Sequence, residues 1–123
     1  MSVVSYFVRY DIAVADLQGF LERYRKVHVP AVTSWPGLRR MVIHTPVDWK
    51  DPFAVNRGQA VLMAQLEFES EEAMNRAFAS PERAAAREDF KRFMTYAGTV
   101  THQAMVQDEV FRAPWVDANE EGA

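Results

Sequence analysis

The feature that most constrains the fold is the order in which two hydrophobic periodicities follow one another along the chain. Segments rich in β-branched and aromatic residues predict four strands, at Val3–Tyr10, Leu38–Thr45, Ala60–Glu69 and Thr99–Phe111. Segments with three- and four-residue spacing predict helices after the first and third strands. A β-α-β-β-α-β order is typical of the split βαβ, or ferredoxin-like, α+β fold, in which helices cover one face of a four-stranded antiparallel sheet.

The first predicted helix carries a titratable residue on its apolar side. Asp16 is a suitable N-cap, and one stripe of the helix contains Leu17, Phe20, Leu21, Tyr24 and His28. Pro30 has no N–H to donate and disfavours helical geometry at Val29, so we expect the helix to kink or end there. The sequence therefore predicts that His28 lies at the end of a helix and in line with the core.

The second helical region is predicted to consist of two pieces. Ser70-Glu71-Glu72 begins the first piece, and Ser80-Pro81-Glu82 begins the second, which runs to Met94 before Gly98 ends it. The connection Pro46–Gln59 is long and contains two prolines and two large aromatic residues, as binding or interface loops often do. We expect one domain over residues 1–111 and a polar tail over 112–123, in which Trp115 is the candidate anchor.

Apolar side chains on both faces of the predicted sheet indicate a partner. If Leu62, Ala64, Leu66 and Phe68 face the helices, the other face of strand three presents Val61, Met63, Gln65 and Glu67. A monomer would keep that face polar, and a second copy of the sheet is the simplest cover, so we expect a homodimer. Alternation alone leaves open which face of strand two carries His44.

Composition excludes several classes of function. The chain has no cysteine and three scattered histidines, which argues against a zinc site, and its net charge of -3 without a basic stripe argues against nucleic acid. No apolar run approaches a membrane span or a signal peptide, so we expect a cytoplasmic protein without a membrane partner. Phosphate loops and nucleophile elbows are also missing. The classes of function that remain are acid–base chemistry without a cofactor or metal and plain ligand binding.

Two runs of the sequence resemble the EthD family of dimeric α+β barrel proteins. They start at FVRYDIAV and at AQLEFESEEA, and they contain a helix ending in a histidine, a Pro-Gly-Leu-Arg entry to strand two and a Phe-x-Ser-x-Glu-Ala helix start. The resemblance covers about Tyr6 to Phe111, without the loop 46–59. It implies a dimer with a ligand pocket between the first helix and the sheet of each subunit, lined by His28. Related barrels include muconolactone isomerases, polyketide cyclases, decarboxylases, haem-degrading enzymes and cofactor-independent monooxygenases.

The predicted catalytic group is His28, because an imidazole beside apolar walls can move a proton next to a carbonyl or lactone. Tyr24, one helical turn earlier, and His44, at the end of strand two, are candidate assisting groups. The candidate substrate-binding residues are Tyr6, Trp35, Trp49, Phe53 and Gln65.

Each histidine also has a purely structural interpretation. His28 would be satisfied by a carbonyl that Pro30 frees, and His44 would be a surface residue at a strand end. His102 is expected to be a packing or edge residue, with haem or metal ligation as the alternative. Asp89, Arg87 and Arg92 are expected to be solvated or ion-paired.

The predicted function is cofactor-free proton transfer on a small, apolar, oxygenated molecule such as a lactone, enol or polyketide-like ring, as in an isomerase, cyclase or decarboxylase. Two alternatives stay open. One is a non-catalytic module that binds a hydrophobic metabolite or serves a neighbouring enzyme, and the other is a cofactor-independent monooxygenase.

Overall fold

Four antiparallel strands form one sheet in the order β2-β3-β1-β4 in the computed structural model, which describes residues 2–93 and 95–116. The strands are β1 (Val4–Ala13), β2 (Leu38–His44), β3 (Leu62–Phe68) and β4 (Ala97–Val106). The helices are α1 (Leu17–Arg23), α2 (Val29–Thr33), α3 (Glu71–Phe78) and α4 (Pro81–Phe93), with a π-helical turn over Tyr24–His28. The predicted ferredoxin-like α+β fold is confirmed. No helix in the described ranges is long and apolar enough to cross a membrane.

The core lies between the helices and one face of the sheet. In β3 the alternate residues Leu62, Ala64, Leu66 and Phe68 are at most 2% exposed, as the two-residue repeat predicts. The matching residues of β1 are Val4, Tyr6, Val8, Tyr10 and Ile12. Side chains from both strands pack against α1, α3 and α4. No helix of the described residues packs on the other face of the sheet, which we call the open face.

A β-bulge in β2 decides which side chains of that strand face the helices. Leu38 pairs with Phe68 and Arg40 with Glu67, so Arg39 is an extra residue. Past the bulge, Val42 and His44 pair with open-face residues of β3 and therefore lie on the open face. The bulge also brings two guanidinium groups to the buried Glu67 carboxylate, from Arg39 at 3.4 Å and from Arg40 at 3.1 Å.

The ends of β1 and β4 differ from the prediction. Gly98 does not end a helix: it pairs with Ile12 inside β4, and this pairing extends β1 to Ala13. β4 ends at Val106 because β1 begins at Val4, and Gln107 makes the final backbone contact with Val3. Residues 107–116 are mostly exposed, and Trp115, the predicted anchor, is 79% exposed. Met94 and residues 117–123 lie outside the described residues.

The helix was predicted to kink or end at Pro30. It does not end there, because helical geometry continues to Thr33, but a π-helical turn over Tyr24–His28 interrupts the regular α-helix just before the proline. The Val29 N–H donates to the Tyr24 carbonyl, five residues back, which is the bond of a π-helical turn. The hydrogen-bonding pattern changes within this turn, before the proline. Pro30 then occupies the first turn of α2, where a missing N–H costs little. His28 is the last residue of the π-helical turn, and its side chain is buried.

Candidate active site

A half-enclosed cavity of about 330 Å³ lies between α4 and the helix-covered face of the sheet. Its walls are mainly aromatic, from Tyr6, Tyr10, Trp35, Phe90 and Tyr96. Both His28, from the π-helical turn, and His102, from β4, line it. A volume of this size and an apolar lining with a few polar groups are typical of small-molecule sites.

His28 is held in the wall of this cavity by two aromatic rings. Its ring centroid lies 4.9 Å from that of Tyr24 and 5.2 Å from that of Phe90, and only 8% of the residue is exposed. Burial lowers the pKa of His28 to about 4, with the Asp89 charge opposing this shift and the Arg87 charge adding to it. The imidazole is therefore unprotonated at neutral pH, the form that accepts a proton.

His102 is the second imidazole of the cavity. It pairs with Val8, and its ring stacks on Tyr6 at a centroid distance of 5.8 Å. Nη1 of Arg87 lies 3.4 Å from Nε2 of His102. Since a guanidinium only donates, Nε2 is the acceptor and the ring proton is on Nδ1. Burial, together with the charges of Arg87 and Arg83, lowers the pKa of His102, so this ring too is neutral at pH 7.

Two tyrosine hydroxyls connect the cavity to the core. Tyr10 lines the cavity and donates a hydrogen bond to the hydroxyl of Tyr24, 3.5 Å away. Burial raises the pKa of Tyr10, and it raises the pKa of Tyr24 to about 12. Both hydroxyls therefore stay neutral at working pH. Tyr24 is 1% exposed and supports Tyr10 and His28 from behind, without lining the cavity itself.

The structure gathers only some of the predicted site residues. Tyr6, Trp35 and His28 line the cavity, whereas His44 lies on the open face, with Nε2 of His44 3.2 Å from Oε1 of Gln65. Gln65 in turn donates to the Ser5 hydroxyl, also on the open face. Because the β2 bulge adds one residue before His44, the His44 side chain lies on the open face. The sheet therefore separates His44 from His28.

The two aromatic residues predicted in the 46–59 loop also lie outside the cavity. Trp49 packs beneath the Arg57 guanidinium, 4.0 Å from the ring centroid, and lines a shallow depression shared with His44 on the open face. Phe53 is 77% exposed. These positions associate the loop with the open face of the sheet.

Most residues that line the cavity were not predicted as site residues, and His102, Arg83 and Arg87 are among them. The position of His102 could have been predicted from the strand repeat. His102 is two residues after Val100, so both side chains lie on the same face of β4, and Val100 is partly buried. Arg83 precedes the buried Ala86 by three residues and Phe90 by seven, so it lies on the inward stripe of α4. Among the residues that the structure describes, no three His, Asp or Glu side chains are grouped as a metal site would require.

Comparison with solved structures shows close agreement of the fold. An EthD family protein of Bacillus halodurans is 25% identical, with a TM-score of 0.67, over 88% of this chain and 100% of its own. A hydroxynitrile lyase from Passiflora edulis is 12% identical with a TM-score of 0.65, over 90% of this chain and 98% of its own. SnoaB, a cofactor-independent oxygenase from Streptomyces nogalater, is 12% identical with a TM-score of 0.60, over 92% of this chain and 100% of its own.

Comparison of sequences assigns the family. No curated protein matches the chain significantly. The sequence model of the EthD domain matches residues 15–97, which is narrower at both ends than the predicted resemblance and runs across the 46–59 loop. Because this match covers more than half of the residues and the fold agrees with that of a solved member, the chain belongs to the EthD family.

Proposed function

We propose that this protein is a cofactor-free acid–base enzyme that moves a proton on a small, apolar, oxygenated molecule such as a lactone, an enol or a polyketide-like ring. The observation that carries the proposal is the position of His28 in the wall of an aromatic cavity of about 330 Å³, where burial lowers the pKa of the imidazole. A neutral imidazole has one unprotonated ring nitrogen. Placed where a small molecule is shielded from water, it is suited to taking a proton from carbon next to a carbonyl.

The residues around His28 divide the remaining tasks. In this proposal His28 accepts the proton, and the electron pair of the broken C–H bond moves to the substrate oxygen as an enolate. The neutral hydroxyl of Tyr6 supplies a donor for that oxygen. Tyr24 accepts the hydrogen bond of the Tyr10 hydroxyl and positions Tyr10 and the His28 ring. The protonated His28 then returns the proton to another carbon or to the oxygen, so an isomerisation balances without a co-reactant.

Solvent deuterium tests this function directly. Enolisable lactones incubated with the protein in D₂O should gain deuterium next to the carbonyl, because the proton held by His28 exchanges with solvent. Mass spectrometry and proton NMR would measure the incorporation against a protein-free reaction. Binding without any incorporation or product would contradict the proposal and favour a carrier. Oxygen uptake with an activated phenol would favour an oxygenase, the activity named for SnoaB.

We also propose that two copies pair through their open faces. Phe7, Val42 and Met63 lie on this face only half-buried, and Met105 is 47% exposed beside them. Covering these apolar side chains with the same face of a second copy removes them from water.

Light scattering should therefore give about twice the chain mass of 14.1 kDa. Phe7→Glu places a charge in the centre of the paired sheets, so we expect it to lower the mass to that of one chain. Val27→Glu is the matched control, since Val27 is 40% exposed in the π-helical turn on the helical side. A wild-type mass of one chain, or equal masses for both variants, would contradict sheet pairing.

A further inference from the structure

Helix α4 presents three cations to the cavity. Arg83, Arg87 and Lys91 are four residues apart, so they follow one side of the helix, and all three line the cavity. Arg83 is only partly exposed and lies on the inward stripe, with its guanidinium carbon 4.7 Å from the Phe78 ring centroid. Apolar residues are the usual occupants of such a position.

The two arginines lack a carboxylate partner in the described part of the chain. Lys91 pairs with Glu88 at 3.5 Å, and the Asp89 carboxylate pairs with Arg92 at 4.0 Å, but no described ion pair includes Arg83 or Arg87. Their polar contacts within the cavity are with neutral groups, Tyr6 for Arg83 and His102 for Arg87. The described lining of the cavity contains no aspartate or glutamate.

Two buried donors at the same end of the cavity also have no acceptor in residues 2–93 and 95–116. They are Nε of Arg83 and Nε1 of Trp35, and Trp35 is 7% exposed. A buried donor without an acceptor costs free energy, and a guanidinium beside aromatic walls without a counter-ion costs more. An anion bound here would reduce both costs.

We infer that the ligand of this cavity is a small apolar carboxylic acid, whose carboxylate is bound by Arg83 and Arg87. A planar carboxylate matches the two-pronged geometry of a guanidinium, and the aromatic walls accept the apolar remainder. This inference rests on the proposed function and narrows its substrate class: the acid group is held beside α4, and the rest of the molecule extends along the aromatic walls towards His28.

A pair of probes of equal shape tests the inference. The dissociation constants of 1-naphthoate and of neutral 1-naphthamide would be measured by calorimetry on the full chain. We expect the wild-type protein to bind naphthoate about tenfold more tightly than naphthamide, because only the carboxylate gains charge-assisted hydrogen bonds. Arg83→Met and Arg87→Met should each weaken naphthoate binding about tenfold and change naphthamide binding less than about twofold.

Arg92→Met is the matched control. It removes the same charge from the same helix, but Arg92 does not line the cavity, so naphthoate affinity should stay within about twofold of wild type. Equal binding of the two probes by the wild-type protein would overturn the inference. An equal loss in Arg92→Met would overturn it as well, because the effect would then come from net charge alone.

The outcome separates this inference from the proposed function. Selective naphthoate binding without deuterium exchange on any substrate would support carboxylate binding by Arg83 and Arg87 and contradict the proposed enzymatic function. Deuterium exchange on neutral lactones without selective naphthoate binding would support the proposed enzymatic function and contradict carboxylate binding by Arg83 and Arg87.

Discussion

Replacing His28 with alanine is expected to lower kcat/KM by about 10²–10⁴-fold on any substrate that exchanges deuterium, because the variant lacks the proton acceptor. The substitution removes a ring that packs on Tyr24 and Phe90 in the cavity wall, and we expect secondary structure and oligomeric mass to be kept. Turnover under saturating substrate would separate loss of chemistry from loss of binding.

His44→Ala is the matched control for this variant. It deletes the same side chain from the open face of the sheet, beside Gln65, and we expect it to change kcat/KM less than about twofold. A large loss in His44→Ala with full activity in His28→Ala would contradict the assignment of the base.

The pH profile gives an independent test of the same role. Burial lowers the pKa of His28 to about 4, so the free enzyme should keep its base unprotonated from neutral pH down to that value. The acid limb of kcat/KM should then fall as pH decreases through about 4, and not through the ordinary histidine value of about 6.5. A limb near 6.5 would show that the working base is a solvated imidazole.

Gly98→Ala is expected to lower the free energy of unfolding by about 2–4 kcal/mol. Gly98 has a φ of 114°, a region that L side chains rarely adopt. A Cβ there would lie 2.3 Å from the Asp11 carbonyl oxygen and 2.9 Å from the Ile12 Cα, both backbone atoms of the neighbouring strand. The β1–β4 pairing would therefore have to shift.

Gly58→Ala is the control for that loss. Its φ is outside the positive region, and the nearest atom to its Cβ is the end of the Arg9 side chain at 3.4 Å, which can move. We expect its stability to stay within about 0.5 kcal/mol of wild type, and urea unfolding at one protein concentration would compare all three chains. Equal stability of Gly98→Ala and wild type would show that this end of the strand pair is not required.

The residues that were assigned correctly from sequence are those whose surroundings depend on local repeats. The buried side of β3 was predicted from the alternation of Leu62, Ala64, Leu66 and Phe68, and the burial of His28 was predicted from its spacing to Tyr24. Local signals did not fix where two elements end. Pro30 does not end the helix, because a π-helical turn precedes it, and β4 ends early because β1 offers no further partner beyond Val4.

The sequence by itself therefore determined the α+β class, the two faces of β3 and the position of His28 on an inward helix face. Only the tertiary structure decided which distant groups meet His28. It brings His102 and Arg87 into the same cavity and leaves His44 on the far side of the sheet. The reason is physical: side-chain direction within one element follows from its repeat, whereas contacts between elements depend on strand register, on the bulge at Arg39 and on how α4 packs on the sheet.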